Sequence, residues 1–171
     1  MIILGIDPGA ARTGYAVVEA VGDTVLVRET GTLATSARTP FHMRLKSIYQ
    51  RLSRVIDKHG PDEIAVEDVF VKRNVRVALK LGHVRGVALL VAAVHGVPVG
   101  EYAPGEIKQA VVGNGNASKE QVKFMVTALL RLSVTPPEDE ADALAVALCH
   151  VHRRKLNEDT PLDILHKRYS C

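Results

Sequence analysis

The sequence has no tryptophan, only two cysteines and no long uninterrupted apolar run. Cys149 and Cys171 give no disulfide framework, and we interpret them as a small core residue and a tail thiol. The longest uninterrupted apolar run, Val87 to Val94, is far too short to span a bilayer. The N-terminus also lacks the basic start and long apolar segment of a signal peptide. These absences predict a cytoplasmic protein without a membrane partner.

Acidic residues are absent between Asp68 and Glu101, although the net charge of the chain is only +3. A local positive field of this kind suits a polyanion such as a nucleic acid. A solvated basic face is the more common meaning of a charge run, but the depletion of acids here leaves both interpretations open. The basic residues of this stretch are Lys72, Arg73, Arg76, Lys80 and Arg85.

The chain begins with an apolar segment of strand length that ends in Asp7. Pro8 and Gly9 stop the strand, because proline removes a backbone donor and glycine favours a turn. Two further strand-like segments, separated by Gly22-Asp23, predict an antiparallel meander. Asp7 is therefore placed at the C-terminal end of a strand. An aspartate at such a position is more often a turn former than a catalyst, unless other functional side chains lie beside it.

A helix is predicted after the meander. Apolar residues recur at helical spacing up to about Lys58, with Thr39 as the N-cap and Pro40 at the first helical position. Gly60-Pro61-Asp62 ends this helix, because glycine and proline both interrupt helical geometry.

Residues 63–67 then form a short predicted strand that ends in Glu67. A strand, a helix and a strand in this order return the chain parallel to an earlier strand, and the Asp7 strand is the natural neighbour. Glu67 would then end its strand beside Asp7. Active sites of such sheets gather at the carboxyl ends of parallel strands, so this edge is the expected site.

A second long helix is predicted from Asn74 to about His95, with a basic first half and a second half that is apolar on every face. Gly82 and Gly86 lie one turn apart and would allow another helix to approach closely. Core packing explains this pattern, but in a domain of this size it also indicates a homodimer interface. A final short strand is predicted over 97–102.

Ser118 and Gln121 form the S-x-x-Q pattern of a capping box after a flexible glycine-rich loop. Ser118 therefore caps a helix that runs to about Leu132, and Lys119 projects from its first turn. Exposed backbone amides and a lysine at a helix start can hold a phosphate, although a plain helix start with a solvated lysine is more common.

The last predicted helix opens with several acidic residues and continues to about Arg154. Acids at a helix start interact favourably with the helix dipole, so most of them need no function. Glu138 and Asp139 each share a helix face with Asp142, and spacing alone does not choose between them. Asp142 is the strongest candidate, because small and apolar neighbours place it near the buried side of the helix.

Cys149, His150 and His152 lie too close together in sequence to share a helix face, which argues against a zinc site. Beyond the last helix, the residues mix charge and polarity without a clear period. We therefore predict one domain over 1–154 and a C-terminal tail over 155–171.

Asp7, Glu67 and a pair of acids from the last helix would form a cluster of four carboxylates. Like charges at close range raise each other's pKa, so such a cluster stays ionised only with cations. Oxygen ligands of this kind suit Mg²⁺ or Mn²⁺, and two ions ~3.5–4 Å apart can stabilise the attacking and leaving oxygens of phosphodiester hydrolysis. Together with the basic surface, the cluster predicts a nuclease.

Five groups of residues also carry a family resemblance. They are Gly-Ile-Asp-Pro-Gly at 5–9 with Thr13-Gly14, Val-Glu-Asp-Val-Phe at 66–70, Ala-Leu-Lys-Leu-Gly at 78–82 with Arg85-Gly86, Lys-Gln-Ala-Val-Val-Gly at 108–113, and Asp-Glu-Ala-Asp-Ala-Leu-Ala at 139–145. In this order they resemble the RuvC family of bacterial Holliday junction resolvases. The resemblance covers nearly the whole chain, up to about His152, and the ordered set is far more specific than any one motif.

The resemblance implies a ribonuclease H-like α/β fold, with a five-stranded mixed sheet in the order 3-2-1-4-5 flanked by helices. It implies a homodimer that nicks two opposed strands of a four-way DNA junction at symmetric positions, with two Mg²⁺ or Mn²⁺ ions per active site. It also favours Asp139 over Glu138. The implied metal-binding acids are Asp7, Glu67, Asp139 and Asp142.

Further roles follow from the same resemblance. Lys108 and Lys119 match family lysines that contact DNA or the scissile phosphate, and Phe70 matches an aromatic that stacks on an unpaired base near the crossover. A RuvA–RuvB branch-migration complex is the implied protein partner. The predicted DNA-binding residues are Phe70, Lys72, Arg73, Arg76, Lys80, Lys108 and Lys119.

Three other functions stay open on the residues alone. The Gly-Ile-Asp-Pro-Gly motif with Thr13-Gly14 also resembles the phosphate loop of actin-like and sugar-kinase-like ATPases, although those proteins need two such halves. A ribonuclease that cleaves RNA or RNA–DNA hybrids would use the same acids. A basic architectural protein that binds branched DNA without cutting it would not use them at all.

Overall fold

Five strands form one mixed sheet in the predicted order 3-2-1-4-5. The computed structural model describes residues 1–68 and 75–158. The first three strands form the predicted antiparallel meander, and the crossover returns the fourth strand parallel to the first. The fifth strand lies parallel to the fourth. The strands are β1 (Ile2–Asp7), β2 (Arg12–Val21), β3 (Thr24–Ala34), β4 (Glu63–Glu67) and β5 (Val99–Tyr102).

Helices cover both faces of the sheet. Helices α1 (Phe41–His59) and α2 (Val75–His95) pack on one face, whereas α3 (Pro104–Val112), α4 (Lys119–Leu129) and α5 (Glu138–Glu158) pack on the other.

Strand β1 contributes to both hydrophobic cores, because successive side chains of a strand point to opposite faces. Ile3 packs with the core that includes α3, α4 and α5. Leu4 and Ile6 pack with α1 and α2. All three side chains are almost fully buried, and burial of each contributes about 1.5–3 kcal/mol. The strand that ends in Asp7 is therefore held firmly from both sides.

Two glycines allow α5 to lie directly against the sheet. A Cβ atom at Gly5 would come within 2.4 Å of the Ala143 carbonyl oxygen, and one at Gly14 within 1.9 Å of the Asp139 carbonyl oxygen. Gly14 is the cross-strand partner of Asp7. A side chain at either glycine would push the first turns of α5 away from the sheet. The glycines therefore set the distance between α5 and the strand that carries Asp7.

The start of α1 differs from the prediction, whereas its end agrees with it. Thr39 does not cap the helix, and Pro40 occupies the N-cap position with no side-chain hydrogen bond. Thr39 lies instead in a turn in which its backbone N–H donates to the Ser36 carbonyl over 3.1 Å. Gly60 adopts a left-handed φ of 53° and ends the helix. Gly60 thus predicted the end of α1 correctly, whereas the Thr39-Pro40 pattern predicted its start wrongly.

The ends of α4 and α5 also differ from the prediction. Helix α4 ends at Leu129 rather than near Leu132, and Arg131 after it adopts a left-handed φ of 50°. Helix α5 continues beyond Arg154 to Glu158. Lys155 in this added turn forms an ion pair of 3.0 Å with Asp23 of the β2–β3 turn. The separation of a C-terminal tail from the domain stays a prediction, because 159–171 lie outside the described residues.

Helix α2 has one buried face and one exposed apolar face. The buried face packs against α1 and the sheet. On the opposite face, a Cβ atom at Gly82 or Gly86 would meet nothing within 4 Å. The exposed side chains of this face include Leu79, Leu90 and Val94, at 59%, 54% and 59% exposure. Within the described part of the chain, α2 alone is long and apolar enough to cross a membrane. Core helices of soluble proteins share this length and composition, so neither property indicates a membrane span.

Candidate active site

The carboxyl ends of β1 and β4 lie side by side, as predicted. Ile6 pairs with Val66 in the parallel register, so Asp7 and Glu67 are the next residues of neighbouring strands. Both residues line a cleft of about 340 Å³, and their carboxyl groups hydrogen-bond to each other. The register of the sheet is therefore sufficient to bring two distant acids into contact.

Burial is the largest cause that raises the pKa of both the Asp7 and the Glu67 carboxyl groups. The charge of Asp142 raises the pKa of Asp7 further, and the charge of Asp7 raises that of Glu67. The Lys119 ammonium lowers both pKa values without offsetting burial. A hydrogen bond between two carboxyl groups requires a proton on one of them, and the raised pKa values allow this proton to be shared.

Helix α5 adds Asp142 to the cleft, and α4 adds Lys119. The Ser118 side chain caps α4 and forms the predicted box with Gln121, which fixes the direction of the first turn. Lys119 Nζ lies 3.3 Å from Asp142 Oδ2 and 2.5 Å from Glu138 Oε1. The hydrogen bond to Glu138 is the largest cause that raises the pKa of Lys119. Lys119 therefore places a positive charge beside Asp142 and Glu138.

Asp139 is held by a different cation. Arg12 Nε, from the start of β2, donates to Asp139 Oδ2 over 2.5 Å. Asp139 does not line the cleft, although its charge contributes to the raised pKa of Asp7 after burial and after Asp142. Glu138, the other acid that the spacing left open, is 65% exposed and pairs with Lys119. The role of Asp139 as a metal ligand stays a prediction.

The acids are not already arranged as a metal centre. Within residues 1–68 and 75–158, no three His, Cys, Asp or Glu side chains converge closely enough to hold a metal ion. A proton shared by Asp7 and Glu67 removes one of their two negative charges, and basic side chains pair with Asp139 and Asp142 of α5. The donor chemistry nevertheless fits a divalent ion, because these are hard carboxylate oxygens whose charges burial disfavours. A metal would replace the proton and the ion pairs.

The predicted DNA-binding residues lie in different places. Lys108 of α3 lines the same cleft as Asp7, as do hydrophobic residues that include Leu81 of α2. Arg76 and Lys80 are exposed in the first turns of α2. Phe70, Lys72 and Arg73 lie outside the described residues, so their DNA contacts stay predictions.

Two arginines near the site were not identified from the sequence as specific contacts. Arg85 of α2 pairs with Asp68 over 3.2 Å and also with Glu101, so this residue of the basic stretch ties α2 to the ends of β4 and β5. Arg12 pairs with Asp139. The sequence did contain one signal for the Arg12 contact. Residues two apart in a strand share a face, so Arg12 lies on the same face of β2 as Gly14, the face that α5 covers.

The fold and the cleft together define a class of protein. A mixed sheet in the order 3-2-1-4-5 carries acids at the ends of its two central strands, and a late helix brings further acids to the same edge. This is the arrangement of a ribonuclease H-like nuclease.

The family can be stated more narrowly. A family model described as "Crossover junction endodeoxyribonuclease RuvC" matches residues 3–150, and the chain belongs to this RuvC family. A relative with the same description from Halorhodospira halophila is 53% identical over 152 residues, which cover 89% of this chain and 90% of the relative. Another from Pelobacter propionicus is 48% identical over 171 residues, which cover 99% and 97%.

Solved structures agree with this family. Thermus thermophilus RuvC in complex with a Holliday junction substrate superposes with a TM-score of 0.87 at 36% identity, over 92% of this chain and 96% of the other. The yeast mitochondrial Holliday junction resolvase has a TM-score of 0.64 at 15% identity, over 91% and 82%, and supports the fold alone. The predicted family, fold and enzyme class, a metal-dependent crossover junction endodeoxyribonuclease, are confirmed.

Proposed function

We propose that this protein resolves Holliday junctions by nicking two opposed DNA strands at symmetric positions, through phosphodiester hydrolysis that requires two divalent ions. The observation that carries the proposal is the meeting of Asp7, Glu67, Asp142 and Lys119 at one cleft. The Thermus relative that shares the fold was solved with a Holliday junction substrate, which supports the same class of substrate here.

The ions are Mg²⁺ or Mn²⁺ in this proposal. Asp7, Glu67, Asp139 and Asp142 offer hard oxygen ligands that suit these ions, and the other three acids all influence the pKa of Asp7. When bound, the metal supplies Lewis acidity to the attacking water and to the leaving 3′ oxygen. The product is a ligatable nick with a 5′ phosphate.

The side chains of the cleft position the DNA backbone. The Lys119 ammonium is charged at neutral pH, and its hydrogen bond with Glu138 raises its pKa further, so it can pair with the scissile phosphate as well as with Asp142. Lys108 lies across the same cleft and provides a second positive charge. The exposed Arg76 and Lys80 extend the positive surface along α2. Phe70, Lys72 and Arg73 complete the proposed DNA interface.

A homodimer is proposed to form through the exposed apolar face of α2. This face combines large apolar side chains with glycines that leave room for another helix. Leu79 and Leu90 would be buried by a second copy, which removes an exposed apolar patch. A two-fold dimer places two equivalent clefts on one junction, so protein symmetry explains paired cuts.

The cellular setting completes the proposal. The enzyme acts in the cytoplasm in DNA recombination and repair, and a RuvA–RuvB branch-migration complex presents the junction to it. The family membership of residues 3–150 supports this setting.

A synthetic four-way junction with labelled strands tests the proposal. We expect symmetric nicks in Mg²⁺ or Mn²⁺, and loss of the nicks without metal or in Asp142→Asn. Asp57→Asn is the matched control, because Asp57 is an exposed aspartate that pairs with His95 away from the cleft. Preferred cleavage of an RNA–DNA hybrid would contradict the proposal, and so would junction binding without cleavage in either metal.

A further inference from the structure

Arg12 contacts an acid of the active site from outside the cleft. Alternate residues of a strand share a face, so Arg12 points to the same side of β2 as Gly14. The Asp139 carbonyl lies directly over Gly14, which brings the first turn of α5 within reach of the arginine. Arg12 Nε donates to Asp139 Oδ2 over 2.5 Å. The contact joins the start of β2 to the acid that is proposed to complete the metal site.

The guanidinium and a divalent ion would compete for the same carboxylate. Arg12 Nε contacts Asp139 Oδ2, the oxygen that a metal ion would also bind, and the positive charge of the guanidinium repels a nearby cation. Asp139 lies beside the cleft and not in its lining, whereas Asp142, one turn later in α5, lines it. Asp139 is thus paired with Arg12 and is outside the lining that holds Asp7, Glu67 and Asp142.

Arg12 can also bind a phosphate. Its side chain is 58% exposed, and only its Nε is paired with Asp139 Oδ2 in the contact described above. A guanidinium presents five donors in a fixed fork that matches phosphate oxygens. A DNA strand that enters the cleft would bring such a phosphate to the arginine and draw it away from Asp139.

We propose that Arg12 is a positioning residue that holds Asp139 away from the divalent metal until a DNA phosphate takes over its guanidinium. Metal binding would then be weak in the free protein and stronger on the junction. This inference rests on the proposed nuclease function, because it assigns Arg12 a role in assembling that same site.

The first test measures Mn²⁺ affinity of the full chain by isothermal titration calorimetry without DNA. Arg12→Gln removes the charge, and we expect the Mn²⁺ Kd to fall by about two- to fivefold, the range expected for loss of an exposed ion pair. Arg28→Gln is the matched control, because Arg28 is 53% exposed and pairs with Glu19 elsewhere on the sheet. Its Kd should equal that of the wild type.

A double-mutant cycle separates this role from a general effect of charge. In the Asp139→Asn background, Arg12→Gln should leave the Mn²⁺ Kd unchanged, because the carboxylate that Arg12 holds is gone. An equal fall of the Kd in both backgrounds would overturn the inference, since Arg12 would then act on the metal directly. An unchanged or raised Kd in Arg12→Gln alone would overturn it as well.

The second test examines the transfer of Arg12 to phosphate. Junction affinity is measured against salt concentration in metal-free buffer, and Arg12→Gln should lower the slope of log K on log salt by about one unit. The Arg28→Gln control should keep the wild-type slope, and an unchanged slope in Arg12→Gln would refute the transfer. Failure of the wild type to bind Mn²⁺ or to nick the junction would instead contradict the proposed function itself.

Discussion

The acids at the strand ends and the acids of α5 are held in different ways. Asp7 and Glu67 are fixed by the register of β1 and β4, and a shared hydrogen bond keeps part of their charge neutral. Asp139 and Asp142 are each 23% exposed and lie against basic side chains. A buried carboxylate needs compensation in either case. The strand acids thus obtain it from a proton and the helix acids from Arg12 and Lys119, and a metal must displace both.

Asp7→Asn should have the largest effect on cleavage, because Asp7 is the strand acid whose pKa responds to Glu67 and to both helix acids, Asp139 and Asp142. We expect the single-turnover rate of junction cleavage to fall by about 10³-fold or more, equivalent to ~4 kcal/mol of transition-state stabilisation. Asp139→Asn should lower the same rate by a factor about tenfold smaller, since Asp139 lies beside the cleft and does not line it. A larger loss for Asp139→Asn than for Asp7→Asn would reverse the comparison.

Lys119→Met should have an intermediate effect on the same rate. The substitution keeps the aliphatic stem but removes the charge that neutralises Asp142 and reaches the scissile phosphate. We expect a loss of about 10- to 100-fold in single-turnover cleavage. Lys46→Met, on the exposed surface of α1, is the control and should cleave at the wild-type rate. A wild-type rate in Lys119→Met would show that this lysine only balances the acids.

Gly14→Ala tests how strongly the two groups of acids depend on their spacing. The new methyl group would collide with the Asp139 carbonyl and push the first turn of α5 outward. We expect the free energy of unfolding to fall by about 1–3 kcal/mol. Gly105→Ala is the control, because nothing lies within 4 Å of a Cβ there. Urea denaturation of both variants measures the difference, and equal stabilities would refute the close approach.

Glu67→Gln should have the smallest effect on the free energy of unfolding, with a sign opposite to that of Gly14→Ala. The folded state raises the pKa of Glu67 above its ordinary value of 4.5. Folding therefore favours the protonated acid, and wild-type stability falls as pH rises above that value. Glutamine does not titrate, so the metal-free variant should be about 1–2 kcal/mol more stable near pH 8. Thermal unfolding between pH 5 and 8 measures this, and a parallel pH dependence in both proteins would contradict the shared proton.

The strand half of the site could be predicted from the sequence. Pro8 and Gly9 mark the end of β1, and the crossover rule places Glu67 beside Asp7 without any tertiary information. The capping box at Ser118 likewise fixes where Lys119 begins its helix. These signals are local, or they follow from the handedness and direction of chain connections.

The helix half could not be predicted in the same detail. The Arg12–Asp139 pair joins residues 127 positions apart, and no local pattern contains it. The spacing of the acidic run left Glu138 and Asp139 equivalent, because both share a face with Asp142. Their different partners become visible only when β2 and α4 are placed against α5. Thr39 was likewise predicted to cap α1 from its local sequence, but it forms a turn with Ser36 instead.

The contact between the sheet and α5 has a mechanical consequence. At Gly5 and Gly14 the nearest atoms of α5 are backbone carbonyl oxygens, and the side chains beside them are the methyl groups of Ala147 and Ala143, which have no rotamers to change. The gap across which the metal ligands must meet is therefore set by the van der Waals contact of two backbones. Changes elsewhere in the core can alter the stability of the protein, but they have little means of widening that gap.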